Sequence, residues 1–203
     1  ARARRREGGS GPVTRIVLLA GASGSGKSRL AQAADALVVR LDDFYADADA
    51  PDLPRTPHGF IDWDDVRTWD ADGAVAALAH LVSEGFCELP VYSIAESKRL
   101  CWHRLDLGEH HVIVAEGIFA IQLMAIARDH GLAVEGLYLH RPGALVAALR
   151  FRRDLAQKRK AVPVLIRRGL DLWRAQPSLE RSAVAAGFEL VTMRKGLRAL
   201  TAS

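Results

Sequence analysis

The chain has 203 residues, about half apolar and a quarter charged, with a net charge of +4. That length suffices for one domain with a substantial core, and the balance excludes a fibrous or wholly disordered chain. No apolar run approaches the roughly 18–20 residues of a membrane span. Ile16–Ala20 is also too short for a signal-peptide core, so a cytoplasmic protein with no membrane contact is expected.

Residues 1–12 carry Arg2, Arg4, Arg5 and Arg6, followed by "EGGSGP". Such a stretch cannot bury a core and reads as a disordered basic tail. A solvated tail and a nonspecific nucleic-acid contact both fit it. Charge alone does not establish the second, and nucleic acid is not the expected partner. Residues 13–203 read as a single domain. Cys87 and Cys101 lack metal-binding spacing, and a reducing compartment favours two free thiols.

"RIVLLA" (Arg15–Ala20) is a short aliphatic run that suits a strand buried on both faces. From Lys27 to Leu37, Leu30, Ala31, Ala34 and Leu37 recur at helical spacing. "LVVRL" (37–41) is a second strand and Trp69–Ser83 a second helix. "HVIVAEG" (111–117) is another buried strand, followed by a helix over Ile118–His130. "VEGLYLH" (134–140) is a strand, after which Pro142 opens a helix running toward Lys158. Leu179–Ala186 reads as helix and "FELVT" (188–192) as a last strand. Strands alternating with helices predict a doubly wound α/β domain. Residues 46–62 are rich in Pro and Asp without periodicity, which suits a substrate loop or lid.

"GASGSGKS" decides the chemistry. Gly21, four residues, Gly26, Lys27 and Ser28 match the phosphate-binding P-loop in full. Small residues let backbone N–H groups turn inward around phosphate oxygens, and the following helix directs its positive end at the anion. Gly21, Ala22, Ser23, Gly24, Ser25, Gly26 and Arg29 complete the nucleotide-binding set with Lys27 and Ser28. Lys27 would reach the β- and γ-phosphates and Ser28 would hold Mg²⁺. Four fixed positions match by chance in roughly one in a hundred chains of this length. The strand before and the helix after argue against a flexible linker.

Three further features point toward phosphoryl transfer. Asp42 and Asp43 follow the second strand, where open α/β sheets bind ligands. A carboxylate there can accept the proton of an attacking hydroxyl, although turn or cap chemistry explains such a pair too. Glu116 ends a buried strand, where an acid faces Mg²⁺, with a helix cap or surface Glu as the alternative. Arg150, Arg152, Arg153, Lys158, Arg159 and Lys160 crowd one segment, either as a lid over ATP or as a solvated basic face.

"GASGSGKS", "LDDFY", "DWDDVRTWD", "PVYS", "VAEGIFA" and "RFRRD" fall in the order and spacing of the uridine kinase family, which the chain resembles from Val13 to about Thr192. The resemblance implies an α/β P-loop NTPase fold: a parallel five-stranded sheet flanked by helices, with a helical lid. It implies ATP and Mg²⁺, and a nucleoside-like small-molecule acceptor. By matched position, Asp42 is the base, and Tyr45 and Asp64 lie on the substrate side, Asp64 in the ribose-binding place. Tyr92 lies near the nucleobase. Ser28, Asp42 and Glu116 surround the metal. Arg150 and Arg153 belong to the substrate and lid region, with Lys158 and Lys160 as further lid cations. The chain departs from the pattern after "PVYS". Ile94 and Ser97 stand where the family has a stacking aromatic and a base-reading His. Lost polar partners weaken discrimination, so a kinase for a non-nucleoside alcohol of the pantothenate or nicotinamide riboside type remains open. So does a regulatory NTP-binding module.

Overall fold

The protein is described by a computed structural model covering residues 14–22, 24–142 and 177–202. In chain order its elements are β1 (Arg15–Ala20), α1 (Lys27–Ala33), β2 (Leu37–Arg40), α2 (Ala71–Glu84), β3 (Phe86–Ser93), β4 (Lys98–Asp106), β5 (Val112–Glu116), α3 (Ala120–Asp129), β6 (Val134–Leu139), α4 (residues 177–185), β7 (Glu189–Val191) and α5 (Met193–Thr201). Short 3-10 turns occupy Leu41–Phe44 and Val66–Thr68.

The aliphatic run of β1 sets the architecture, because its side chains alternate between two cores. Ile16, Leu18 and Ala20 join one cluster with Leu78 and Leu81 of α2, Leu123 of α3 and Ala183 of α4. Val17 and Leu19 join the other with Leu30 of α1 and Leu200 of α5. Burial on both faces is the signature of a parallel sheet covered by helices. Five strands form that sheet in the order β2-β5-β1-β6-β7, all parallel. The fold expected from the sequence is the fold observed.

Element bounds differ in places with identifiable causes. α1 stops at Ala33 rather than Leu37, because Asp35 turns left-handed at φ 52° and frees Leu37 to start β2. α5 goes unread in the sequence, since Gly196 interrupts its pattern. That glycine lets α5 pack close to α1: a Cβ there would lie 2.8 Å from Leu30 Cδ2. The expected helix after Pro142, the basic segment and the tail lie outside the described residues. Cys87 is buried and Cys101 exposed, both free as expected. No described helix is long and apolar enough to cross a membrane.

The main feature the sequence reading lacks is the antiparallel pair β3 and β4, a separate two-stranded sheet. Its turn meets the loop that leaves the first 3-10 turn. Ala48 N–H donates to Ser97 O (2.8 Å), Arg99 N–H to Asp47 Oδ1 (2.7 Å) and the Tyr92 hydroxyl to Ala46 O (2.9 Å). The loop then returns on itself: Ala46 N–H donates to Thr68 O (2.8 Å) and Asp70 N–H to Phe44 O (2.9 Å). Residues 46–62 are thus irregular, as expected, but tethered at both ends.

Trp69 anchors the return. Its ring stacks on Phe119 at 5.2 Å, and its Nε1–H donates to Leu41 O (2.7 Å) inside the core. Trp69→Phe keeps an aromatic ring but leaves that buried carbonyl without its donor. The expected loss is about 1–3 kcal/mol. At roughly 2–4 °C per kcal/mol for a domain of this size, thermal melting should show it.

Candidate active site

Register brings the site together. Leu19 of β1 pairs with Glu116 of β5, and Glu116 pairs with Arg40 of β2. The glycine-rich loop, Glu116 and the Leu41–Phe44 turn therefore emerge side by side at the carboxyl ends of adjacent strands, where open α/β sheets bind ligands.

The loop has the shape that its small residues predict. Gly24 and Gly26 adopt φ values of 83° and 98°, left-handed conformations that favour glycine. A Cβ at Gly21 would lie only 3.0 Å from Leu139 O. Ser25 N–H donates to Ala22 O (3.0 Å), which closes the turn. The Ser25 side chain is 1% exposed, and its hydroxyl has no hydrogen-bond partner among the described residues. Lys27 Nζ donates across the loop to Gly21 O (3.1 Å). Arg29 is exposed, and Ser23 lies outside the described residues.

Ser28 and Glu116, separated by 88 positions, meet directly. The Ser28 hydroxyl donates to Glu116 Oε1 at 2.6 Å, a short charge-assisted bond. Asp42 faces them from the 3-10 turn. Its Oδ1 accepts from the Ile118 N–H (3.2 Å). Burial pushes its carboxyl above the ordinary range, further helped by the negative charges of Glu116 and Asp43, while the Ile118 N–H and Lys27 pull it back. Gly117 makes the approach possible: a Cβ there would lie 2.7 Å from Asp42 Oδ1 and from Leu41 Cβ.

Lys27, Asp42 and Glu116 line one cavity of about 230 Å³, together with Gly21, Tyr92 and Ile94. Arg40, Asp43, Gly117 and Ile118 complete the described wall. Asp43 is 8% exposed and paired with Arg40, whose Nη2 lies 2.8 Å from Asp43 Oδ2. Burial raises the Asp43 carboxyl and the Arg40 charge opposes the rise. Arg40 and Gly117 go unread in the sequence, and Asp43 reads there only as one of the carboxylate pair, with no role assigned by matched position. The usable signal was position: Arg40 ends a strand beside the two carboxylates, and Gly117 follows Glu116.

Tyr45 and Asp64 are outside that wall. The Tyr45 ring packs against Trp63, Tyr92 and Phe119, and its hydroxyl donates to Trp63 O (3.1 Å). Burial pushes the Tyr45 phenol far above its ordinary range. Asp64 is exposed on the neighbouring loop. Arg150, Arg153, Lys158 and Lys160 lie outside the described residues. Among the described residues, no three His, Cys, Asp or Glu side chains are grouped to hold a metal. An ion bound here would draw on a hydroxyl, one or two carboxylates and phosphate oxygens.

Parallel strands in this order, with a glycine-rich loop between β1 and α1, define the P-loop NTPase α/β fold. No protein-family model matches the chain. Over 114 residues, 53% of this chain, it is 31% identical to a uridine kinase of Schizosaccharomyces pombe. That stretch is 25% of the yeast protein, so the chain matches about a quarter of its relative's length. A candidate fructose transport system kinase from Silicibacter sp. TM1040 superposes with a TM-score of 0.59 at 24% identity, covering 92% of this chain and 93% of that one. A possible uridine kinase from Bacillus stearothermophilus gives a TM-score of 0.48 at 19% identity over 71% and 80% of the two chains, too low to add weight. Over those 114 residues the chain is similar in sequence to a uridine kinase, and it has the fold of the P-loop kinases.

Proposed function

We propose that the protein is an ATP-dependent kinase of a small alcohol, with Asp42 as the general base. The observation that carries this reading is the convergence of Lys27, Asp42 and Glu116 on one cavity, with Ser28 bonded to Glu116 beside it. The loop suits a nucleotide phosphate: it has no room for a Cβ at Gly21 and offers a buried hydroxyl at Ser25 without a described partner. Mg²⁺-ATP supplies the transferable phosphoryl group and the metal's neutralising charge.

The chain's own residues do the rest. Lys27 places a positive charge where negative charge accumulates on the phosphoryl oxygens. Ser28, Glu116 and Asp42 would hold the metal, which would neutralise charge on the phosphates. Asp42 orients the acceptor hydroxyl and takes its proton. The hydroxyl oxygen bonds to the γ-phosphorus, the bond from that phosphorus to the bridging oxygen breaks, and ADP leaves. A base with a raised pKa is better matched to a proton held by an alcohol near neutral pH. In this reading Arg150, Arg153 and Lys158 belong to a cationic lid, and the acceptor is nucleoside-like. A non-nucleoside alcohol is the second reading, favoured by Ile94, which lines the cavity and is 76% exposed.

ADP release measured with and without a panel of alcohols tests the proposal. Stimulation by an alcohol, with phosphate recovered on it, is the expected result. Hydrolysis that no alcohol stimulates would favour an NTP-binding regulatory module. Ser28→Ala should raise the Mg²⁺ concentration for half-maximal activity by roughly tenfold or more, by analogy with lost metal-supporting contacts. An unchanged Mg²⁺ requirement removes Ser28 from the metal site.

A further inference from the structure

Asp42 and Asp43 are consecutive on one 3-10 turn, yet both face the same cavity. Each has one engaged oxygen and one open one. Asp42 Oδ1 takes the Ile118 N–H, and its Oδ2 has no hydrogen bond among the described residues. Asp43 Oδ2 accepts from Arg40 Nε at 2.9 Å with Nη2 at 2.8 Å, and its Oδ1 likewise has no described hydrogen bond. A single base accounts for only one of these carboxylates. Neither open oxygen is shut off from solvent, so each is available to a hydroxyl of a molecule bound in the cavity.

Among the described residues, the rest of the lining offers a planar base little. Ile94 is aliphatic, and the Tyr92 hydroxyl is already donated to Ala46 O. The cavity of about 230 Å³ is also smaller than the roughly 300–1,000 Å³ usual for drug-sized ligands.

We infer that the phosphate acceptor is a small polyol held through two neighbouring hydroxyls. One hydroxyl gives its proton to Asp42 and is phosphorylated. The other donates a hydrogen bond to Asp43 Oδ1, whose carboxylate is locked in orientation by Arg40. Asp43 is then the specificity residue, and the inference rests on the kinase reading above while narrowing its substrate class.

The test is ADP release with ATP and Mg²⁺ on matched acceptors. Glycerol is compared with 1,3-propanediol, 1,2-propanediol with 1-propanol, and these with ribitol, uridine and cytidine. The expected result is turnover of at least one polyol at a kcat/KM roughly 10–100-fold above its partner lacking the neighbouring hydroxyl, the span of a hydrogen bond to a charged group. Asp43→Asn should collapse that preference, mainly through KM. Arg40→Gln, which unlocks the carboxylate but leaves it in place, should narrow it, with melting curves confirming that each variant folds. Nucleosides turned over better than every polyol, or equal turnover of the matched pairs, would overturn the inference. Failure of every alcohol, nucleosides included, to stimulate ADP release removes the kinase reading instead. Polyol binding is then judged by thermal shift with Mg²⁺ and a non-hydrolysable ATP analogue. Equal shifts from glycerol and 1,3-propanediol, and from 1,2-propanediol and 1-propanol, overturn the inference there as well.

Discussion

Asp42→Asn should lower kcat by about 10²–10⁴, the contribution of a positioned general base, while making the protein harder to melt at neutral pH. Asparagine keeps the shape and can still accept from the Ile118 N–H, so the geometry of the turn survives. It loses the ability to take a proton. The stability effect follows from the raised Asp42 pKa, caused first by burial and then by the charges of Glu116 and Asp43. A carboxyl that binds its proton more tightly when folded penalises the native state once it ionises. The penalty is complete above the folded pKa, shrinks as pH falls through it, and vanishes below the unfolded value of about 3.9. The variant's higher melting temperature should therefore persist at neutral and alkaline pH and fade in acid. Wild-type kcat should also fall in acid, as the base is protonated in the substrate complex. Full turnover by Asp42→Asn would remove Asp42 as the base. A lower melting point at pH 7 would show that the carboxylate stabilises the fold instead, contrary to the burial argument.

Gly117→Ala should cost roughly a hundredfold in kcat, the loss associated with about 1 Å of misplacement at a reacting group. The added Cβ would stand 2.7 Å from both Asp42 Oδ1 and Leu41 Cβ, closer than real Cβ contacts allow. Asp42 is the movable partner, so the carboxylate swings away and loses its bond from Ile118. Overpacking adds an expected destabilisation of about 1–3 kcal/mol. Steady-state kinetics should show KM for ATP close to wild type, because the glycine-rich loop is not touched. In the double variant with Asp42→Asn, the kinetic loss should be far less than the product of the two, since both act on one group. A kcat within about threefold of wild type would show that the turn yields without moving the base.

The sheet and the phosphate loop were legible because their signals are local. Five aliphatic residues from Ile16 to Ala20 leave no face for solvent, and Gly21–Ser28 has few side chains to obstruct an anion. Asp42, Ser28 and Glu116 could be read because each stands directly after or at the end of a strand or loop that was itself clear. β4 could not. "KRLCWHRLD" alternates charge and apolar groups without a buried face, and Leu100 and Trp102 remain half exposed. Only pairing with β3 makes it a strand. Arg40 and Gly117 depend on tertiary approach: one acquires meaning when Asp43 folds back onto it three residues later, the other when a different strand's turn crosses it. The three-residue spacing of Arg40 and Asp43 is a local signal, whereas the crossing at Gly117 leaves none in residue spacing.

The hydrogen bonds joining Ala46, Asp47 and Ala48 to Tyr92, Arg99 and Ser97 divide the protein by task. Under the proposed function, the described groups that would face the nucleotide phosphates grow from the parallel sheet. The β3–β4 pair and the tethered loop form a separate piece that supplies Tyr92 and Ile94 to the cavity and the neighbouring Tyr45 and Asp64. Its exposed side chains are open to change while its inner ones are not, because Trp69, Cys87 and Leu89 pack into the same core cluster as Ile16 and Leu18 of the sheet. Residues 45–69 and 86–106 are best varied together, because altering either segment alone breaks the bonds that hold the two in register.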